Sequence, residues 1–172
     1  MRRNLFLTAL LVVILAAGIG AYLLGSPRDK GPEQAWQPPV SDAPDDQPPA
    51  GISYDTADVK TASKIYRLQI ADSKDKQALG LGKRKTIGGD GMIFPYAKPQ
   101  RLCFWMKDMH FPIDMIWLGS DKQVLKVQAD VSPDSYPRTT YCQDNTLYVV
   151  ELDAGQAKAD GIAVGNTFEF NL

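Results

Sequence analysis

The chain has 172 residues, 44% hydrophobic and 23% charged, with two cysteines and one histidine. That length allows one domain with appendages and excludes a two-domain nucleotide enzyme. Two cysteines cannot build a disulfide scaffold or a four-thiolate zinc site, and a single histidine excludes any site that needs two. Charge is uneven along the chain: residues 1–24 carry +2, residues 25–62 carry −4 and residues 63–172 carry +1, the last from 14 basic and 13 acidic groups. A near-neutral domain without a basic stripe argues against nucleic acid as the main partner.

Leu5 to Leu24 is an uncharged run of 20 residues. As a helix it would span about 30 Å, the thickness of a bilayer core. Arg2 and Arg3 precede it, which predicts a cytoplasmic N-terminus and export of the rest. Small residues near its end leave a cleaved signal peptide, and so a secreted product, as the alternative. Residues 25–62 hold seven of the 12 prolines with acidic groups and few aliphatics. Such a stretch cannot bury enough apolar surface to offset its ordering entropy, and it is predicted to be a disordered linker. Trp36 is its one large apolar group.

From residue 63 the pattern changes. Tyr66, Leu68 and Ile70 alternate with polar neighbours, as in a half-buried strand. Asp72 to Leu81 reads as a short helix capped by Asp72 or Ser73 and ended by Gly80 and Gly82. The glycines of Gly88-Gly89-Asp90-Gly91 lack the following helix of a phosphate loop and read as a turn before a strand at Met92–Phe94. Further strands are predicted at Leu102–Lys107, Ile113–Leu118, Gln123–Val131, Thr146–Leu152 and Thr167–Asn171. Leu125, Val127, Ala129 and Val131 alternate with polar residues, predicting a one-faced strand. Thr146–Leu152 is apolar on both faces except for Glu151, as in a covered central strand. Asp153 is expected to cap a short helix ended by Gly161. The fold class predicted is mostly β (α+β): a compact barrel- or sandwich-like domain at 63–172 with one or two short helices, preceded by a transmembrane helix at 1–24 and a disordered linker at 25–62.

Chemistry is densest between Cys103 and Trp117. Strand alternation would put Lys107 on the face of Cys103 and Trp105, and Asp114 on the face of Ile116 and Leu118. With Glu151, three charges interrupt apolar strands. A buried charge needs a partner, so Lys107, Asp114 and Glu151 form either a register-fixing ion-pair cluster or, with Trp105, a ligand or catalytic site. Cys103, Met106, Met109, His110 and Met115 gather the soft donors that suit Cu(I), though methionine more often fills core gaps. An exported domain favours a Cys103–Cys142 disulfide. It would close a loop of about 40 residues and contribute roughly 3–4 kcal/mol. A Cys103 nucleophile would have only His110 as a base. No catalytic signature is recognisable, and no cofactor is implied.

The run Phe104 to Leu118 (FWMKDMHFPIDMIWL) resembles the DUF192 family of uncharacterised bacterial and archaeal proteins. So do the upstream ALGLGKRK and GDGMIFPY, the downstream KVQADVSP and the VVELDAG…GIAVGNTF end. The matching positions are Trp105, Met106, Lys107, Pro112, Asp114, Glu151 and Gly155. Family members often read Gly-Leu-Met where this chain has Gly80-Leu81-Gly82, and Met109 and His110 lie outside the family pattern. The resemblance implies a small β-rich fold, often behind a signal or anchor, and no established activity. The function expected is a membrane-tethered, extracytoplasmic binding or accessory domain of the cell envelope, with an unnamed ligand or protein partner. The alternatives are an envelope hydrolase using Asp114 or Glu151 as general base and, behind it, a copper site.

Overall fold

A computed structural model describes residues 51–172. The expected membrane span and all but the end of the expected linker lie outside these residues. The chain runs through β1 (Thr56–Lys60), β2 (Ile65–Ile70), α1 (Lys74–Leu79), β3 (Met92–Phe104), β4 (Ile113–Leu118), β5 (Val124–Val131), β6 (Tyr141–Asp153) and α2 (Gln156–Ala159). The six strands form one sheet in the order β1-β2-β3-β6-β4-β5. Every pairing is antiparallel except β2 with β3. A parallel neighbour cannot be reached by a hairpin. Residues 71–91 make the required crossover and carry α1 on it.

The sheet is covered on both faces. Leu68, Ile93, Ile116, Leu118, Val150 and Leu152 pack on one side with Ala157, Ile162, Phe168 and Phe170. Met92, Phe94, Met115, Trp117 and Val149 pack on the other with Leu81, Leu102 and Met106. β4 lies inside both layers, and all six of its residues are buried. In α1, Ser73 caps the N-terminus by accepting from Lys76 N at 3.3 Å, and Gly80 ends the helix at φ +53°.

Five sequence expectations change. A strand already stands at Thr56–Lys60, ahead of the expected boundary at 63. Its alternation is short, with only Ala57 and Val59 turned inward between exposed Thr56, Asp58 and Lys60, and it lies in a stretch that reads as linker. Met92–Phe94 and Leu102 onward belong to one strand, β3, despite Pro95 and Pro99. Beyond Ile93, β3 is paired only with β6, and irregular register between Pro95 and Leu102 absorbs the missing donors. That strand ends at Phe104, so Lys107 sits in the following turn, exposed, and shares no strand face with Cys103. β5 is not cleanly one-faced: register shifts along β4–β5 leave Val124 and Val131 buried and Ala129 exposed. Thr167–Asn171 makes two isolated bridges, Gln123 with Thr167 and Lys60 with Glu169, in place of a strand. The architecture is therefore α+β with a single sheet that is not closed, in place of the expected barrel or sandwich.

Candidate functional site

Glu151 lies on β6, the strand flanked by β3 and β4, and its register partners are Met92 and Met115, both fully buried. Its side chain therefore emerges between two thioethers on the face covered by the crossover. The residue is 5% exposed. Its carboxyl sits in this apolar setting with the Arg84 guanidinium near enough to act on it through charge. Desolvation pushes that carboxyl up to about 8, while the Arg84 guanidinium pulls the other way. At neutral pH it is mostly a neutral acid, able to donate one hydrogen bond and accept others.

The carboxyl opens onto a pocket of about 260 Å³. Gln77 to Leu81 from α1 and its C-terminal turn form one wall. Phe94, Tyr96 and Phe104 of β3 form another, and Trp105, Lys107 and Met109 line it from the turn after β3. Phe94 and Phe104 meet edge to face at 5.0 Å, which fixes the aromatic wall. Trp105 is 49% exposed, a large indole surface left in solvent beside the opening. Gly80 keeps the way to Glu151 open, since a Cβ there would sit 3.4 Å from Phe94 Cζ and 4.0 Å from Glu151 Oε2. Gly91 is needed for a different reason: a Cβ would lie 2.1 Å from the Glu151 carbonyl oxygen. The glycine cluster at 88–91 thus seats the strand beside Glu151 and binds no phosphate geometry of its own.

Of the residues singled out in the sequence, Trp105, Lys107 and Glu151 come together on this pocket and Asp114 does not. Asp114 pairs with Leu152 in register, one position away from Glu151, so the two carboxylates leave opposite faces of the sheet. Asp114 is fully buried and takes three backbone N–H donors: Asp130 at 2.7 Å, Gly155 at 3.1 Å and Ala157 at 2.8 Å. Asp130 sits at φ +52° in the irregular part of β5, and Ala157 is in the first turn of α2. One carboxylate therefore holds a strand irregularity and caps a helix. The expected Asp153 cap is absent; α2 begins at Gly155 with no side-chain cap of its own. The predicted cluster of Lys107, Asp114 and Glu151 is replaced by one structural acid and one pocket acid.

The soft donors do not form a metal centre. Cys103 and Cys142 face each other across β3 and β6 and are joined in a disulfide, which removes the thiolate. Met106 and Met115 are buried in the core, Met109 lines the pocket and His110 is exposed. No group of three His, Cys, Asp or Glu side chains among the described residues could hold a metal ion. A Cys103–His110 nucleophile pair is excluded by the same disulfide.

Sequence reasoning misses Arg84, Tyr96 and the aromatic wall. Arg84 lies in Lys83-Arg84-Lys85, which reads as a solvated basic run, yet it is 1% exposed. It donates to Gln69 Oε1 at 3.0 Å and lies 5.2 Å over the Tyr54 ring. Tyr96 is hidden because Pro95 interrupts the strand pattern that carries it. Burial and the charge of Glu151 raise its phenol.

The fold and site define a small α+β domain with one two-sided sheet and a single-carboxyl pocket under its crossover. Residues 56–170 match the family DUF192, described as uncharacterized ACR, COG1430, and the chain belongs to that family. Two solved structures are similar. One is a protein of unknown function from Novosphingobium aromaticivorans, at 30% identity and TM-score 0.61, covering 75% of this chain and 94% of its own. The other, from Sinorhizobium meliloti, is described as a candidate transcription regulator; it shows 26% identity and TM-score 0.60, covering 69% of this chain and 96% of its own. None of the curated proteins matches this sequence.

Proposed function

We propose that this domain is an extracytoplasmic binding module of the cell envelope, tethered through Leu5–Leu24, that takes a small ligand in the pocket beneath Trp105. One observation carries the reading: a buried carboxyl, raised to about 8 by desolvation, lines an aromatic-walled pocket of about 260 Å³. Burying an acid is costly, and a desolvated carboxyl at the foot of an open pocket marks a place where a ligand can meet it. The volume is close to the lower end of ligand sites, roughly 300–1,000 Å³, which points to a small molecule.

The hydrolase reading draws on the same raised carboxyl, since a displaced pKa in a cleft is a mark of catalytic groups. A carboxylate pair would need a second acid of that kind, and Glu151 is the one carboxyl in the pocket lining; Asp114 is on the other face and locked. The Sinorhizobium protein is described as a candidate transcription regulator; direct DNA binding by this domain finds no support in its 14 basic and 13 acidic groups.

Thermal-shift screening of the full chain against sugars, peptidoglycan fragments and short peptides tests the reading. The control is Ala78→Trp, which places an indole at an exposed lining position of α1 without touching the core. A ligand that raises the melting temperature of the wild type and not of Ala78→Trp supports the pocket. Ligands that shift both proteins equally, or neither, remove it.

A further inference from the structure

The polarity of the pocket narrows the class of ligand, a step that rests on the proposed binding role. Its floor is polar, the Glu151 carboxyl. Its walls are aromatic: Phe94, Tyr96 and Phe104. Its lining holds one cationic side chain, the exposed Lys107, and the opening lies beside the free indole of Trp105. A fatty or aryl acid would set an apolar end against the carboxyl floor. An amine would meet the wrong charge, with Lys107 in the lining and Arg84 acting on Glu151 from behind. A ligand suited to all three zones has hydroxyls at one end, a face of C–H groups for the indole, and a negative charge.

We propose that the pocket takes a small sugar acid, its ring stacked on Trp105, its carboxylate held by Lys107 and its hydroxyls met by Glu151. The groups that face Glu151 are Arg84 from the loop after α1, Tyr96 from β3 and Lys107 from the turn after β3; Met115 faces it from β4, and the α1 lining is uncharged. With Glu151 neutral, Lys107 is the one charge in the pocket lining and favours an anion. Ionisation of Glu151 offsets that charge and removes its donated hydrogen bond. Sugar-acid affinity therefore falls as pH rises through the Glu151 titration, and binding at or above it draws a proton onto the complex.

Calorimetric titration of the full chain with D-glucuronate, D-glucose and D-glucosamine separates the possibilities, since the three rings differ in charge. At pH 7 glucuronate is expected to bind at least tenfold more tightly than the other two and to weaken about tenfold by pH 9. Glu151→Gln, which keeps a donor and an acceptor but cannot ionise, should retain binding and lose the pH dependence. Lys107→Met should lose about tenfold for glucuronate and little for glucose, and Trp105→Ala should weaken both. Preference for glucosamine, or affinity indifferent to ligand charge, overturns the sugar acid and leaves the ligand pocket standing. A ligand from the wider screen that Ala78→Trp blocks, with none of the three sugars binding, does the same. No pocket-dependent ligand at all overturns both.

Discussion

Replacing Glu151 with Gln isolates the energetic consequence of burying an acid at the pocket floor. The carboxyl titrates near 4.5 in an unfolded chain and is raised to about 8 by desolvation in the fold. Between those two values the folded state holds a proton that the unfolded state has released, so stability falls as pH rises. Each pH unit in that interval removes about 1.4 kcal/mol, and the full loss is at most about 5 kcal/mol by pH 9. The contribution is intact below 4.5 and gone above about 8. Gln has nearly the same shape, cannot ionise and escapes the loss. Urea denaturation of both proteins at pH 5, 6, 7, 8 and 9 measures the difference, because every other titrating group is common to the two. The expected difference is within about 1 kcal/mol at pH 5 and several kcal/mol in favour of Gln at pH 9. Parallel stability curves across that range would refute the buried, pocket-facing acid.

Asp114→Asn replaces a charged acceptor of three backbone N–H groups with a neutral amide, and should cost about 2–4 kcal/mol in urea denaturation while leaving pocket-ligand affinity of the folded protein unchanged. Replacing both Cys103 and Cys142 with Ser reopens a loop spanning 39 residues and should lower stability by about 4 kcal/mol, measured the same way. Gly91→Ala forces a Cβ to within 2.1 Å of a carbonyl oxygen and should abolish soluble expression. Gly89→Ala, at φ +93° with open space around it, should cost only about 1–2 kcal/mol of backbone strain by denaturation. Equal behaviour of the two glycine variants would count against the close approach of β3 to Glu151.

Much of the sheet could be read from local pattern, and what escaped was set by distant partners. The alternation of Tyr66, Leu68 and Ile70 and the apolar run of β6 mark their strands because each side chain's burial repeats with the pleat. β1 shows the same repeat over only two inward residues, Ala57 and Val59, too few to stand out next to the proline-rich stretch. The site was half legible. Trp105, Lys107 and Glu151 stood out as residues at odds with their surroundings, and they do share a pocket. Asp114 stood out for the same reason, a charge in an apolar strand, but its partners are main-chain amides 16, 41 and 43 residues away. No spacing in the sequence distinguishes an acid that holds backbone from one that lines a pocket. Arg84 failed in the opposite sense: between two lysines it looks like surface, and only the placement of Gln69 and Tyr54 makes it interior.

The crossover between β2 and β3 shapes how this domain can vary. Because the segment linking two hydrogen-bonded neighbours also supplies one wall of the pocket, recognition and architecture occupy separate parts of the chain on this side. The ladders are written in β1 to β6, whereas the wall formed by residues 77–81 lies in one continuous connecting stretch. A change of side chain at Gln77, Ala78 or Leu79 redraws the binding cavity without altering a single strand pairing. The parallel step in an otherwise antiparallel sheet thus leaves a stretch of pocket wall whose side chains lie outside every ladder, above Glu151 on β6.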